Sequence, residues 1–281
     1  MPNARKRHRH SIVVLATSNM DSWLHTPRTI VMLVAAVLLC FVETQKLFRN
    51  YSIEGYSLNM AESIFLLAYT GFNILMSSMM FLVTISELPK QISFQYYSLV
   101  RVTRRKWLNS QVLYCLSMVL IFLLLLLACS FIFCIGGAAW QTDWSPLMTN
   151  GVPGVYAFLS NFLTESFSPL GALAMALLPV AGMWFTLSMF LLFMSLFGYA
   201  KLGLMISAFA LIIDYISIQS SLPVSPMQYA TLLSIDNSGN FIGAFVTMIS
   251  VYVVLNALLY AAMCYKVSRM DLHFNSQKTF S

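Results

Sequence analysis

An all-α membrane protein of six transmembrane helices, with both termini in the cytosol, is the fold class the sequence predicts. Three observations predict it. Of 281 residues, 59% are hydrophobic and only 9% charged, against about 25% charged in an ordinary soluble domain, so too few charges remain to clothe a soluble fold. Six apolar stretches approach or exceed the roughly 20 residues that carry a helix across a bilayer. The basic residues fall on alternate connections, as cytosolic loops require.

The first crossing, from Thr29 to Glu43, has a charge-free core of fourteen residues. Arg28 and Lys46 must reach along their own stems to the two interfaces for it to span. The second, Ser63 to Ser86, contains no charge and reads as one helix. The third lies within the uncharged run from Trp107 to Thr142, whose surplus, GGAAWQTDWSP, reads as a tryptophan-bearing interface. An outer loop with Asp143 and Glu165 leads to the fourth, Pro169 to Phe197, which Pro179 is expected to kink or break. GYAK, residues 198–201, is a tight turn into the fifth, Leu202 to about Ile218. A loop holding Pro223 and Pro226 precedes the sixth, Phe241 to Tyr265. The chain thus divides into a basic N-terminal segment, 1–28, with an interfacial helix; a transmembrane domain, 29–265; and a cytosolic tail, 266–281. No small-residue cleavage site follows ARKRHRH, so this segment reads as a cytosolic tail rather than a signal peptide.

Charge tests that map. With the N-terminus inside, the cytosolic segments hold Arg5, Lys6, Arg7, Arg9, Arg28, Lys90, Arg101, Arg104, Arg105, Lys106, Lys201, Lys266, Arg269 and Lys278. The outer loops hold only Lys46 and Arg49. Five or seven crossings would destroy this alternation.

The connection between the second and third crossings is unusually rich. It reads ELPKQISFQYYSLVRVTRRKWLNSQ from Glu87 to Gln111. Pro89 should end the second crossing, because a residue before proline avoids helical geometry. A new helix is expected from Gln95, with Tyr96, Leu99, Val100, Thr103 and Trp107 on one face and Arg101, Arg104 and Arg105 on another. Two readings fit: ordinary positive-inside anchors, or a cytosolic platform over residues 87–107 that engages a partner.

Other polar residues are sparse. Asp214 lies thirteen residues beyond Lys201, or roughly 20 Å along a helix. It reads either as a water-facing residue near the outer side or as part of a path or gate. Asn73 and Asn256, mid-span, read as hydrogen bonders between helices, with a path role as the alternative. Glu43 and Glu62 read as interface charges. Eighteen methionines and 21 phenylalanines suit either lipid-facing helices or a pliable apolar passage. The five cysteines, Cys40, Cys115, Cys129, Cys134 and Cys264, form no C-x-x-C and read as small buried hydrophobes. His8, His10, His25 and His273 have no metal-ligand spacing, and no phosphate-binding G-x-x-x-x-G-K-[ST] loop occurs. Asn50-Tyr51-Ser52 matches the glycosylation sequon on the outer side.

On these residues the chain resembles the permease subunits of type-2 ATP-binding-cassette transporters. The resemblance lies in the six-span layout entered through SWLHTPRTI, and in Glu87, Ser93, Tyr96 to Arg101 and Lys106 to Leu108, which look like that family's coupling helix and its run into span three. LPVSPMQYATLL, before the last span, sits where the family places short re-entrant helices; the long loop between spans three and four is a departure. The resemblance implies an exporter of peptide or hydrophobic cargo in a plasma membrane, bacterial by family. It implies two separate ATPase subunits bearing ATP and magnesium, and a second permease copy or sister subunit. This chain then holds no cofactor, catalyses nothing itself and binds no nucleic acid. Coupling to the ATPase falls, by the same resemblance, to Phe94, Gln95, Tyr96, Tyr97, Leu99, Arg101, Arg104 and Arg105, with Glu87 as a hinge-side charge pairing with the arginines. A non-transporting immunity or sensor protein would have a similar sequence. An intramembrane enzyme needs paired carboxylates or a nucleophile with its base at one depth, and the spans hold almost none.

Overall fold

Long apolar runs have no water to hydrogen-bond their backbone in a membrane, so they close every bond within the segment as helices. The computed structural model describes residues 3–54, 58–89, 103–145, 148–149, 161–219 and 241–269, and these are mostly helical. In chain order the elements are α1 (Asn3–Leu24), α2 (Pro27–Glu54), β1 (Leu58–Asn59), α3 (Met60–Tyr69), α4 (Gly71–Ile85) and α5 (Arg104–Cys134). They continue as β2 (Ala138–Ala139), α6 (Asn161–Ser166), α7 (Pro169–Leu196), α8 (Ala200–Gln219) and α9 (Phe241–Arg269). Among the described residues, five helices are long and apolar enough to cross a membrane, and the α3–α4 pair makes a sixth crossing if taken as one.

That pair corrects the expectation of a straight second span. The chain turns through 77° between α3 and α4. Thr70 sits there in extended geometry, with φ −80° and ψ 130°. Thr-Gly is a weak helix former on both counts, branching at one residue and backbone freedom at the other. The break would orphan carbonyls in an apolar setting, and Leu66 shows how they are met. Its carbonyl oxygen accepts from the Thr70 backbone N–H at 3.2 Å, the Thr70 hydroxyl at 3.1 Å and Asn73 Nδ2 at 3.4 Å. Asn73 therefore joins the two halves of one crossing.

Pro179 does not break α7, which runs as one helix from Pro169 to Leu196. Ser168 caps its start by accepting from the Gly171 N–H. Gly198, at φ +83°, ends it. Tyr199 N–H donates to the Met194 carbonyl and Gly198 N–H to that of Ser195, a Schellman closure that reverses the chain into α8. α7 is the hub, packing against α9, α3, α8, α5 and α4. Trp184 at its centre stacks on Phe81 at 5.3 Å and meets Phe122 edge-on at 5.0 Å. Of the five long apolar helices, α8 and α9 are the least buried. The N-terminal α1 packs on α5, and its buried positions Leu15, Ala16, Asn19 and Trp23 share one helical face.

The α7–α8 hairpin is close because Gly203 lacks a side chain. A Cβ there would lie 2.7 Å from the Met194 Cβ, an atom fixed to its backbone. Gly203→Ala is expected to prise the hairpin open at a cost of about 1–3 kcal/mol, as overpacked sites do. Thermal unfolding in detergent checks this, with Gly171→Ala, where the nearest neighbour is 3.4 Å away, as the comparison.

Candidate functional site: a basic end, a stitched end and a cavity between them

Contacts between helix ends define two poles. At one pole Arg28, opening α2, forms an ion pair with Glu87 just after α4 at 3.2 Å, and donates to the Ser86 hydroxyl at 3.0 Å. Arg104, opening α5, donates to the Ser268 carbonyl in the last turn of α9 at 3.0 Å. Lys266 of α9 sits 4.5 Å over the Phe197 ring, at the end of α7. Basic groups at a helix C-terminus face its partial negative charge. Among the described residues, this pole gathers most of the positive charges that the sequence placed on one side.

Glu87, expected to pair with the arginines of the connection, forms an ion pair with Arg28 of the first crossing. Arg104 and Arg105 lie in the first turn of α5, and Trp107 is buried one turn further along. The third crossing therefore starts at Arg104, after extended Thr103, and the proposed connecting platform ends there. Phe94, Gln95, Tyr96, Tyr97, Leu99 and Arg101, like the expected helix from Gln95, lie outside the described residues, as does the loop 220–240.

The opposite pole is stitched by buried polar groups. Asn59, fully buried, accepts from the Ala61 N–H as the cap of α3. Its Nδ2 donates to the carbonyls of Gln141 and Asp143 at 3.0 and 3.1 Å. Glu62, in the first turn of α3, is also fully buried, contrary to its reading as an interface charge. It accepts from the Ser145 backbone N–H at 2.6 Å and from the Ser145 hydroxyl at 2.8 Å. Beside them β1 pairs in parallel with β2, Leu58 opposite Ala138. Trp144 Nε1 donates to the Phe167 carbonyl at 2.7 Å, and the Phe167 ring meets Phe241 at 5.3 Å. α3, α5, α7 and α9 are thereby joined. Glu43 is buried too, covered by Lys46 at 2.6 Å. The signal for Asn59 and Glu62 was present: Asn-x-x-Glu before an apolar run is the spacing of a capping box. Their partners, more than 80 positions along the chain, carried no such signal.

Between the poles a cavity of about 240 Å³ opens among α7, α8 and α9. Asp214 lines it and is buried, with 7% of its surface exposed, which corrects the water-facing reading. Ser207 lines it two helical turns away on the same face of α8. Asn256 stands beside this wall, where its Nδ2 donates to the Thr186 hydroxyl at 2.7 Å, joining α9 to α7 as the sequence reading anticipated. Asn73 is not among the residues lining the cavity. The five cysteines are unbonded, four of them buried. Among the described residues no three His, Cys, Asp or Glu side chains cluster as metal ligands would.

No protein-family model, curated protein sequence or solved structure matches this chain.

Proposed function

We propose that this chain is the membrane-spanning permease subunit of an ATP-binding-cassette exporter, type-2-like, carrying peptide or hydrophobic cargo through a bacterial plasma membrane. Its basic pole faces the cytosol, on the positive-inside argument. Two separate ATPase subunits dock there on the connection between the second and third crossings, and a second permease completes the path.

The observation that supports this reading is how the two feet of that connection are fastened. Glu87 holds its first foot to α2, and Arg104 ties its second to the end of α9. A push on the connection is thereby shared among α2, α4, α5 and α9, which is what rigid-body transmission from a docked motor requires. A loop that only anchored the protein in lipid headgroups would need no such ties.

Isolation of the chain from its host membrane in a mild detergent tests the reading. An ATPase that co-purifies and crosslinks to residues 94–101 supports it. Crosslinks to lipid alone, with no ATPase retained, overturn it in favour of an immunity or sensor protein. Charge exchange adds a finer measurement. Arg28→Glu places two acids together and is expected to reduce transport, while Arg28→Glu with Glu87→Arg restores it. Both side chains are well exposed, so the folding cost stays within about 1 kcal/mol and protein levels hold. Unaltered transport in the single variant would remove the mechanical role of the pair.

A further inference from the structure

At the basic pole the end of α9 meets the α7–α8 turn, and cations gather in that corner. Lys266 sits 4.5 Å over the Phe197 ring, and Arg269, one turn on, lies 4.2 Å over the ring of Tyr265. Lys201, exposed in the first turn of α8, stands four positions past Phe197. Among the described residues, none of the three forms an ion pair. A ring face steadies a cation but, unlike a carboxylate, leaves its charge uncancelled. The wall behind them is fixed. Met263 and Val267 are buried, the Tyr260 hydroxyl bonds Asn109 Oδ1 at 2.8 Å, and Arg104 holds the Ser268 carbonyl. A second observation is independent of charge. Met205 and Phe209 follow Lys201 one and two turns along the same face of α8, and are 69% and 66% exposed. Cations followed by bare apolar surface repeat the order of a phospholipid, headgroup and then acyl chain.

We propose that this corner binds an anionic phospholipid. Lys201, Lys266 and Arg269 meet the phosphodiester of its headgroup, and an acyl chain runs along Met205 and Phe209. The exposed Tyr265 ring lies at headgroup depth, where aromatic side chains collect in membrane proteins. Charge selects the lipid class. A zwitterionic headgroup carries its own ammonium, which offsets its phosphate. Phosphatidylglycerol brings a net negative charge to three uncancelled cations, and basic clusters between helix ends take such headgroups. Inorganic phosphate would satisfy the cations but leave the apolar stripe unused. The inference goes beyond the transport reading and stands apart from it, since lipid binding needs no ATPase.

Native mass spectrometry of the purified full chain in detergent, titrated with phosphatidylglycerol or phosphatidylcholine, tests the site. Phosphatidylglycerol is expected to bind first and more tightly. Lys266→Gln and Arg269→Gln should each weaken that first binding about fivefold, the worth of one basic residue at an anionic surface. Lys266→Arg keeps the charge and should retain it. Lys201 and Arg269 are exposed, so Lys201→Gln and Arg269→Gln keep the readout if Lys266→Gln does not fold. Lys6→Gln removes one charge from α1 and should leave the first binding unchanged. An equal loss in Lys6→Gln would assign binding to overall charge and overturn the proposal, as would unaltered binding in the three corner variants. Equal affinity for phosphatidylcholine, or displacement by inorganic phosphate, also refutes it. In the native membrane a photo-crosslinker at position 265 is expected to capture phosphatidylglycerol, and capture of a protein there instead overturns the proposal. Failure to retain an ATPase leaves every one of these lipid results standing.

Discussion

Trp184→Ala is expected to be the most damaging single substitution in the bundle, costing roughly 3–5 kcal/mol, the range for a buried aromatic truncated to alanine. Trp184 is 1% exposed in the hub helix. It is held by Phe81 from α4 and Phe122 from α5, so one side chain ties three crossings together. Its indole N–H donates to the buried Ser78 hydroxyl at 2.8 Å. Truncation therefore removes ring contacts, opens a void and strips Ser78 of its partner. Packing should dominate. Trp184→Phe keeps a six-membered ring in place while losing the pyrrole part of the indole and the hydrogen bond, the latter at about 1–3 kcal/mol for a buried group left unmet. The thermal midpoint in detergent should fall by roughly 10 °C in the alanine variant, and by much less in the phenylalanine one. Similar losses for the two would mean that the hydrogen bond, not the packing, holds this core.

What the sequence disclosed of this fold follows from how each feature is encoded. Crossings bracketed by charge, such as the run opened by Arg104 or the one closed by Lys266 and Arg269, were readable, since hydropathy and charge are local properties. The break at Thr70 was not. Threonine and glycine hardly lower the apolarity of a run that also holds Phe65, Leu66 and Ile74, so hydropathy passes over it. The signal was conformational: Thr70, Gly71 and Asn73 are three poor helix formers within four positions. Pro179 is a different case. A proline inside a helix removes one backbone hydrogen bond, yet α7 continues through it, held on several sides by its neighbours.

The candidate sites divide along the same line. Asp214 was visible as an intramembrane acid, and residue counting gave its distance along α8. Counting could not give its rotation about the helix, which decides between lipid, water and the cavity. Glu87 was visible as a charge beside a basic connection. Its partner Arg28 opens α2, and nothing local links positions 28 and 87. Long-range pairing of this kind is written in packing, which only the folded chain displays.

Glu62→Ala is expected to cost about 2–3 kcal/mol, because it leaves the buried donors of Ser145 without their acceptor. The carboxylate stands in the first turn of α3, where the helix dipole favours negative charge, and each oxygen takes one Ser145 donor. Glu62→Gln discriminates between shape and charge. Its amide oxygen can face the Ser145 N–H while its NH2 donates to the Ser145 oxygen, so both contacts survive as neutral bonds and the cost should be nearer 1 kcal/mol. Ser145→Ala removes only the hydroxyl and should fall between wild type and Glu62→Ala. Combined with Glu62→Ala it should add almost nothing, since the two residues share one interaction. The loss should also be local. Amides 138–145 should exchange faster in Glu62→Ala while those around Trp184 keep their protection, because the clamp binds this loop and not the hub. Fully additive effects of the two substitutions, or unchanged exchange at 138–145, would show that the stitched pole is held by β1–β2 and Asn59 rather than by Glu62.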